Sequence, residues 1–228
     1  MNLALLFINF EETLKKDEKE ENYKTANLFK IFKPLPFKEV NRTNLVYFLF
    51  ISAFSGMEFT LTFLAVEKLN YTSMDNAYMF IFIGFIIAFV QGGYVRRKAN
   101  SVGEKKMAMQ GLVFVIPGLF IIGFCNANWL LYLGLFFLAT GSAMAIPTLT
   151  SLVSIYTPDS EQGRSLGIFR SLGSLGRVIG PIFASLVYWK FGSTVPYILG
   201  GCFLFVPVFL LKSLKDRPRF ENDNSINT

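Results

Sequence analysis

The sequence predicts an all-α membrane protein with six transmembrane helices, on three observations. Apolar residues make up 52% of the 228-residue chain and charged residues only 17%, whereas a soluble domain carries about 25% charged residues. The mean hydropathy is +0.43. Six stretches approach the length of about 20 apolar residues that a helix needs to cross the hydrocarbon core of a bilayer. In chain order, spans one to six are Leu45–Val66, Ala77–Val95, Ala108–Cys125, Trp129–Ser151, Ser165–Trp189 and Thr194–Leu211.

The distribution of basic residues predicts that both termini lie in the cytosol. Lysines and arginines concentrate in the N-terminal segment, after span two and in the C-terminal tail, whereas the opposite side carries only Lys68 and Lys190. Loops rich in lysine and arginine stay on the cytosolic side of a membrane. The net charge of +6 is therefore a topology signal. Because the basic residues are divided among loops, no nucleic-acid partner is predicted.

Span one carries an ionisable residue, Glu58, within its apolar stretch. A charged side chain at the centre of a membrane helix costs roughly 2.5–3.5 kcal/mol on insertion scales, so each such residue is a candidate functional residue. Ser52, Ser55, Glu58 and Thr62 follow one another at spacings of three and four residues, which predicts one polar face. Glu58 is either a protonatable or solute-facing carboxylate, or one member of a buried structural pair with an arginine.

Span five carries two arginines, Arg170 and Arg177, which are seven residues apart and project from nearly the same side of a helix. Arg170 is close enough to the start of the helix to extend its guanidinium to the cytosolic interface. Arg177 lies deeper, where a guanidinium favours an anionic solute or a partner such as Glu58. Small residues and a proline interleave with the arginines and predict close helix packing; they are Gly173, Gly176, Gly180 and Pro181.

The composition argues against enzymatic chemistry. The chain contains no histidine, which removes the usual general base and a common metal ligand. Its two cysteines, Cys125 and Cys202, are too few for a disulfide framework or a four-ligand zinc site. The sequence therefore predicts no enzyme, no metal and no cofactor.

Three stretches together resemble the C-terminal half of a transporter of the major facilitator superfamily. They are Gln91–Lys98 with Gly103–Lys106 after it, Pro158–Gly167, and Arg170–Pro181. The first occupies the short loop where the family repeats its glycine-plus-basic gating motif. The second resembles the loop between the family's tenth and eleventh helices, and the third is similar to the Gly-rich helix of its drug and tetracycline antiporters.

This resemblance implies that the six spans are one half of the family's twelve-helix fold. Gly92, Gly93, Arg96 and Arg97 would form a cytosolic gate, although Arg97 stands where the family's motif usually has an acidic residue. The domain organisation it implies is the end of a preceding helix at residues 1–12, a cytosolic central loop at 13–44, the six-helix domain at 45–213 and a cytosolic tail at 214–228.

The function implied is secondary transport of small organic solutes, organic anions or drugs, by alternating access between two halves. The candidate site is Glu58, Arg170 and Arg177 with Ser55 and Thr62. Besides the lipid bilayer and the solute, such a half requires a second six-helix half, from a second copy or from a full-length relative. The alternative is a truncated half-transporter with no transport of its own, which acts as a partner or regulatory fragment.

Overall fold

The structure, a computed structural model, describes residues 35–214. The predicted helix end at 1–12, residues 13–34 of the predicted central loop and residues 215–228 of the predicted tail lie outside this range. A π-helical segment, Val90–Val95, and a 3₁₀ turn, Asp159–Glu161, accompany the α-helices. The α-helices are α1 (Lys38–Leu69), α2 (Ser73–Phe89), α3 (Arg96–Val102), α4 (Glu104–Gly123), α5 (Asn128–Ile155), α6 (Gln162–Phe191), α7 (Val195–Phe203) and α8 (Phe205–Lys212).

Within the described range, six helical stretches are long and apolar enough to cross a membrane, which confirms the predicted spans. Spans one, three, four and five are α1, α4, α5 and α6, span two runs from α2 into α3, and span six combines α7 and α8. The first helix begins at Lys38, seven residues before the predicted start of span one at Leu45. Hydropathy marks only the part of a helix that lies in hydrocarbon, and polar turns extend it at the ends.

The segment after span two is helical, so the predicted gating loop is wrong as a loop. Gly92 and Gly93 lie in the π-helical segment, and neither has a positive φ. The chain turns only at Gly103, whose φ of +86° suits glycine. The glycine pair therefore alters the helix without ending it.

The turn between spans one and two is defined by residues that stop and restart the helix. Asn70 ends α1 in the left-handed conformation, at φ 55°. Thr72 and Asp75 then form a capping box, in which the Thr72 backbone N–H donates to Asp75 Oδ2 at 2.9 Å and the Asp75 N–H donates to Thr72 Oγ1 at 3.3 Å. These bonds satisfy donors that the first turn of α2 leaves free.

Spans three and four pack closely against each other around shared glycines. A Cβ on Gly111 would lie 2.7 Å from the carbonyl oxygen of Gly141, and one on Gly118 would lie 2.9 Å from that of Gly134. Small residues let membrane helices approach backbone to backbone. Spans two and five are much less covered, since only 11% and 17% of their most apolar stretches are buried, against 56% in spans three and four.

The C-terminal end of span one is tied to its neighbours by two adjacent charged residues. Lys68 Nζ donates to the carbonyl oxygen of Gly123 and to Thr194 Oγ1, both at 2.7 Å. The carboxylate of Glu67 accepts from Ser193 Oγ at 3.0 Å. Hydrogen bonds to charged groups are stronger than neutral ones, so this end of span one is held against spans three and six.

Candidate functional site

A cavity of about 340 Å³ lies between spans one, two, four and five. Its polar lining residues are Ser55, Glu58, Gln91, Ser142 and Arg177, and the rest of the lining is apolar. The structure thus brings together Glu58 of span one and Arg177 of span five, two of the residues that the sequence singles out. Convergent polar groups in an apolar concavity are typical of small-molecule sites.

Glu58 and Arg177 share the cavity as separate charges. Within residues 35–214, neither forms an ion pair at 4.0 Å or less. Both side chains are exposed in this chain. The structural pair considered from the sequence is therefore not formed between Glu58 and Arg177 in this structure.

Ser55 compensates for a backbone defect beside Arg177. Its Oγ donates to the backbone carbonyl oxygen of Arg177 at 3.4 Å. Pro181 follows four residues later and lacks the N–H that would bond this carbonyl in an uninterrupted helix. A carbonyl freed in this way is tolerated in a membrane where a neighbouring helix supplies a donor. Ser55 supplies that donor and connects α1 to the turn of α6 that carries Arg177.

The glycines of span five allow this close contact between α1 and α6. A Cβ on Gly180 would lie 2.1 Å from the carbonyl oxygen of Ser52, and one on Gly56 would lie 2.7 Å from the carbonyl oxygen of Gly180. Further along the contact, a Cβ on Gly176 would lie 3.1 Å from Ser52 Oγ, and one on Gly173 would lie 2.6 Å from the Tyr47 ring. The two backbones therefore touch, which sets the spacing of the charges that they carry.

Arg170 and Thr62 do not line the cavity. Seven residues return to the same face of a helix but advance about 10 Å along its axis, so Arg170 lies two turns from Arg177. Thr62 is likewise one turn beyond Glu58. The prediction of one polar face on span one is also wrong. Ser52 and Glu58 are six positions apart, so their side chains point about 240° apart around the helix axis.

The predicted gate residues lie at the end of span two. A Cβ on Gly92 or Gly93 would meet nothing within 4 Å, so neither glycine is required by packing within residues 35–214. Arg96 and Arg97 are exposed in α3. The Arg96 backbone N–H donates to the carbonyl oxygen of Gln91, five residues earlier, which is the bond that defines a π-turn.

Gln91 and Ser142 are cavity residues that the sequence reasoning did not identify as such. Ser142 is buried, and its Oγ donates to the carbonyl oxygen of Ala139 at 3.0 Å. Both are polar residues within apolar spans, and this is the only feature of the sequence that could have marked them as candidate site residues. Without the helix arrangement, however, neither could be assigned to the surface that carries Glu58 and Arg177.

Six helices that are long and apolar enough to cross a bilayer define an integral, multi-pass membrane protein. The family is defined by a direct comparison: the sequence model of the Major Facilitator Superfamily matches residues 98–227. The chain therefore belongs to the Major Facilitator Superfamily, as its motifs predict, and its six spans form one half of that fold.

Known members of the family are similar over most of this chain. The chain is 37% identical to the Major facilitator superfamily domain-containing protein 10 of Mus musculus over 179 residues, which are 78% of the chain and 39% of the relative. It is 35% identical to the Homo sapiens protein of the same name over 175 residues, 77% of the chain and 38% of the relative.

A solved structure agrees with these sequence comparisons. The crystal structure of the human organic anion transporter MFSD10 (TETRAN) superposes with a TM-score of 0.73 at 35% identity, covering 75% of this chain and 40% of that one. The chain thus spans about two-fifths of the length of the relatives that it matches.

Proposed function

We propose that the chain forms one half of a secondary transporter of small organic anions, with the cavity between Glu58 and Arg177 as its solute site. The observation that carries this proposal is a carboxylate and a guanidinium that line one cavity between membrane spans without an ion pair between them. A charge inside a membrane is costly unless it is compensated. An anionic solute compensates Arg177 with charge-assisted hydrogen bonds.

The two charged residues have different roles in this proposal. Arg177 holds the anionic group of the solute. Glu58 changes between a neutral form, which tolerates a nearby anion, and an ionised form, which repels it. Proton movement at Glu58 is thereby coupled to solute movement. The human relative is described as an organic anion transporter, which supports the same class of solute here.

The proposal includes alternating access through a gate on the cytosolic side. Gly92 and Gly93 have open space around them, so another helix can approach the backbone at that point. Arg96 and Arg97 follow on the exposed surface of α3. Their charge, with that of the other basic loops, supports a cytosolic location for this end of the bundle and for both termini.

A second six-helix half completes the transporter in this proposal. Spans two and five both contribute to the cavity, through Gln91 and Arg177, and they are the two least buried spans. Large apolar side chains such as Phe85, Phe89 and Phe183 are exposed on them. The second half is a further six-helix unit, whether it lies in the same polypeptide, in another copy of this chain or in a full-length relative.

Uptake into proteoliposomes tests the proposal, with the chain reconstituted alone and together with a full-length relative. A radiolabelled aromatic carboxylate, hippurate, serves as the probe. Losing a hydrogen-bonded charge costs about 1.5–3 kcal/mol, so we expect Arg177→Gln to raise KM roughly 10- to 150-fold. Glu58→Gln should abolish the pH dependence of uptake, because its side chain no longer titrates.

Arg164→Gln is the matched control. Arg164 lies on the same helix, is exposed and pairs with Glu161 at 3.5 Å, away from the cavity. Uptake that Arg164→Gln and Arg177→Gln reduce alike would contradict a solute site at Arg177. Unchanged pH dependence in Glu58→Gln would contradict its role in proton coupling.

A second candidate function follows from the length of the match, which is about two-fifths of each relative. In it, the chain transports nothing itself and modulates a full-length relative. Here the chain adds no uptake of its own, and adding it to the relative lowers the uptake by the relative. That result favours this function over transport.

A further inference from the structure

The π-helical segment Val90–Val95 changes the direction in which span two presents its residues. In this segment the Arg96 N–H bonds to the carbonyl oxygen of Gln91, five residues back rather than four. A π-turn accommodates one extra residue, which rotates the positions before it relative to those after it by about 100°. Such turns are rare and occur frequently at functional sites.

Gln91 is the residue that this segment contributes to the cavity. It lines the same 340 Å³ as Glu58 and Arg177. Within residues 35–214, its side-chain amide makes no hydrogen bond. Gln91 is exposed in this chain, so its amide is available to a ligand in the cavity.

Arg177, Glu58 and Gln91 differ in what they bind. Arg177 offers only donors, and an ionised Glu58 only acceptors. Gln91 offers two N–H donors and one carbonyl acceptor without charge. A solute that satisfies Arg177 and Gln91 together carries a carboxylate and also a neutral amide or hydroxyl group.

We infer that Gln91 is a solute-selecting residue, which hydrogen-bonds a neutral amide or hydroxyl group of a solute whose carboxylate Arg177 holds in the same cavity. This inference rests on the proposed function. It names a narrower class of solute, the amido- and hydroxycarboxylates. A site that hydrogen-bonds a polar group discriminates against an analogue that lacks it, because its own polar group is then left unpaired.

A pair of probes of matched shape tests this selectivity. Hippurate carries an amide between its ring and its carboxylate, and 4-phenylbutyrate has methylene groups in place of that amide. We expect the chain, reconstituted as above, to prefer hippurate in kcat/KM by at least about tenfold, the equivalent of about 1.4 kcal/mol. Gln91→Leu should raise KM for hippurate by a similar factor and leave 4-phenylbutyrate unchanged, which removes the preference.

Gln110→Leu is the control, because Gln110 is an exposed glutamine of span three that does not line the cavity. Size-exclusion chromatography of each variant establishes that it is folded. A Gln91→Leu variant that affects both probes equally, or neither, would overturn the inference while uptake itself supports the proposed function. Equal effects of Gln91→Leu and Gln110→Leu would overturn it too. Absence of uptake of either probe in every reconstitution would instead refute the proposed function.

Discussion

The contact between α1 and α6 predicts a large effect of the smallest possible substitution, Gly180→Ala. The added Cβ would lie 2.1 Å from the carbonyl oxygen of Ser52 and 3.0 Å from the backbone nitrogen of Gly56. Both are backbone atoms, so no side-chain rotation relieves the overlap. The helices must separate by more than about 1 Å to reach van der Waals distance.

The magnitude follows from two opposing effects. Overpacking of a close contact typically costs 1–3 kcal/mol. A clash with backbone atoms, which cannot rotate away, should cost about 3 kcal/mol. Alanine offsets about 1 kcal/mol of this through its higher helix propensity. We therefore expect Gly180→Ala to lower the free energy of unfolding by about 2 kcal/mol. The separation should also lengthen the 3.4 Å bond between Ser55 and the carbonyl oxygen of Arg177.

Unfolding in sodium dodecyl sulfate measures this effect, with labelling of the buried Cys125 thiol as the readout in a Cys202→Ser background. The control is Gly167→Ala on the same helix, where a Cβ would meet nothing within 4 Å. We expect that control to be neutral or slightly stabilised. Equal unfolding midpoints for Gly167→Ala and Gly180→Ala would refute the close contact between α1 and α6.

Two further predictions concern the proline defect and the free thiol. Ser55→Ala should lower the free energy of unfolding by about 1 kcal/mol, because it leaves the freed carbonyl of Arg177 unsatisfied. Most of that loss should vanish in a Pro181→Ala background. Additive losses for the two substitutions in the same unfolding assay would contradict the compensation. Burial raises the pKa of the Cys125 thiol, so its thiolate fraction at pH 8 is below that of an ordinary cysteine. Its maleimide labelling should therefore be slower than in the unfolded chain and should accelerate with rising pH; equal rates at pH 8 would contradict the burial.

Hydropathy was sufficient to predict the six spans because each one must supply enough apolar length for the bilayer, whatever its neighbours are. The candidate charges were also visible, since Glu58 and Arg177 interrupt apolar stretches. Arg170 is on the same face as Arg177, and periodicity alone does not separate them. Only the axial position of the cavity distinguishes the two arginines.

The remaining features depend on contacts between spans. A Gly-Gly pair before two arginines has the composition of a loop, and the structure instead continues it as a π-helix and then α3. No local signal tells Gly92 and Gly93, which meet open space, from Gly180, which meets backbone. The bond from Ser55 to the carbonyl of Arg177 joins residues 122 positions apart, so sequence spacing could not predict it.

The backbone irregularities of three spans in this bundle lie at the same cavity. Three of the four spans around the cavity are irregular at a residue that lines it: the π-turn begins beside Gln91, Pro147 follows Ala143 by four residues, and Pro181 follows Arg177 by four. Each proline removes the N–H that would bond the carbonyl of the cavity residue. Non-helical or underbonded backbone at membrane depth is tolerated where it is buried or lines a cavity. A bend at any of these three points would therefore displace residues that line the cavity.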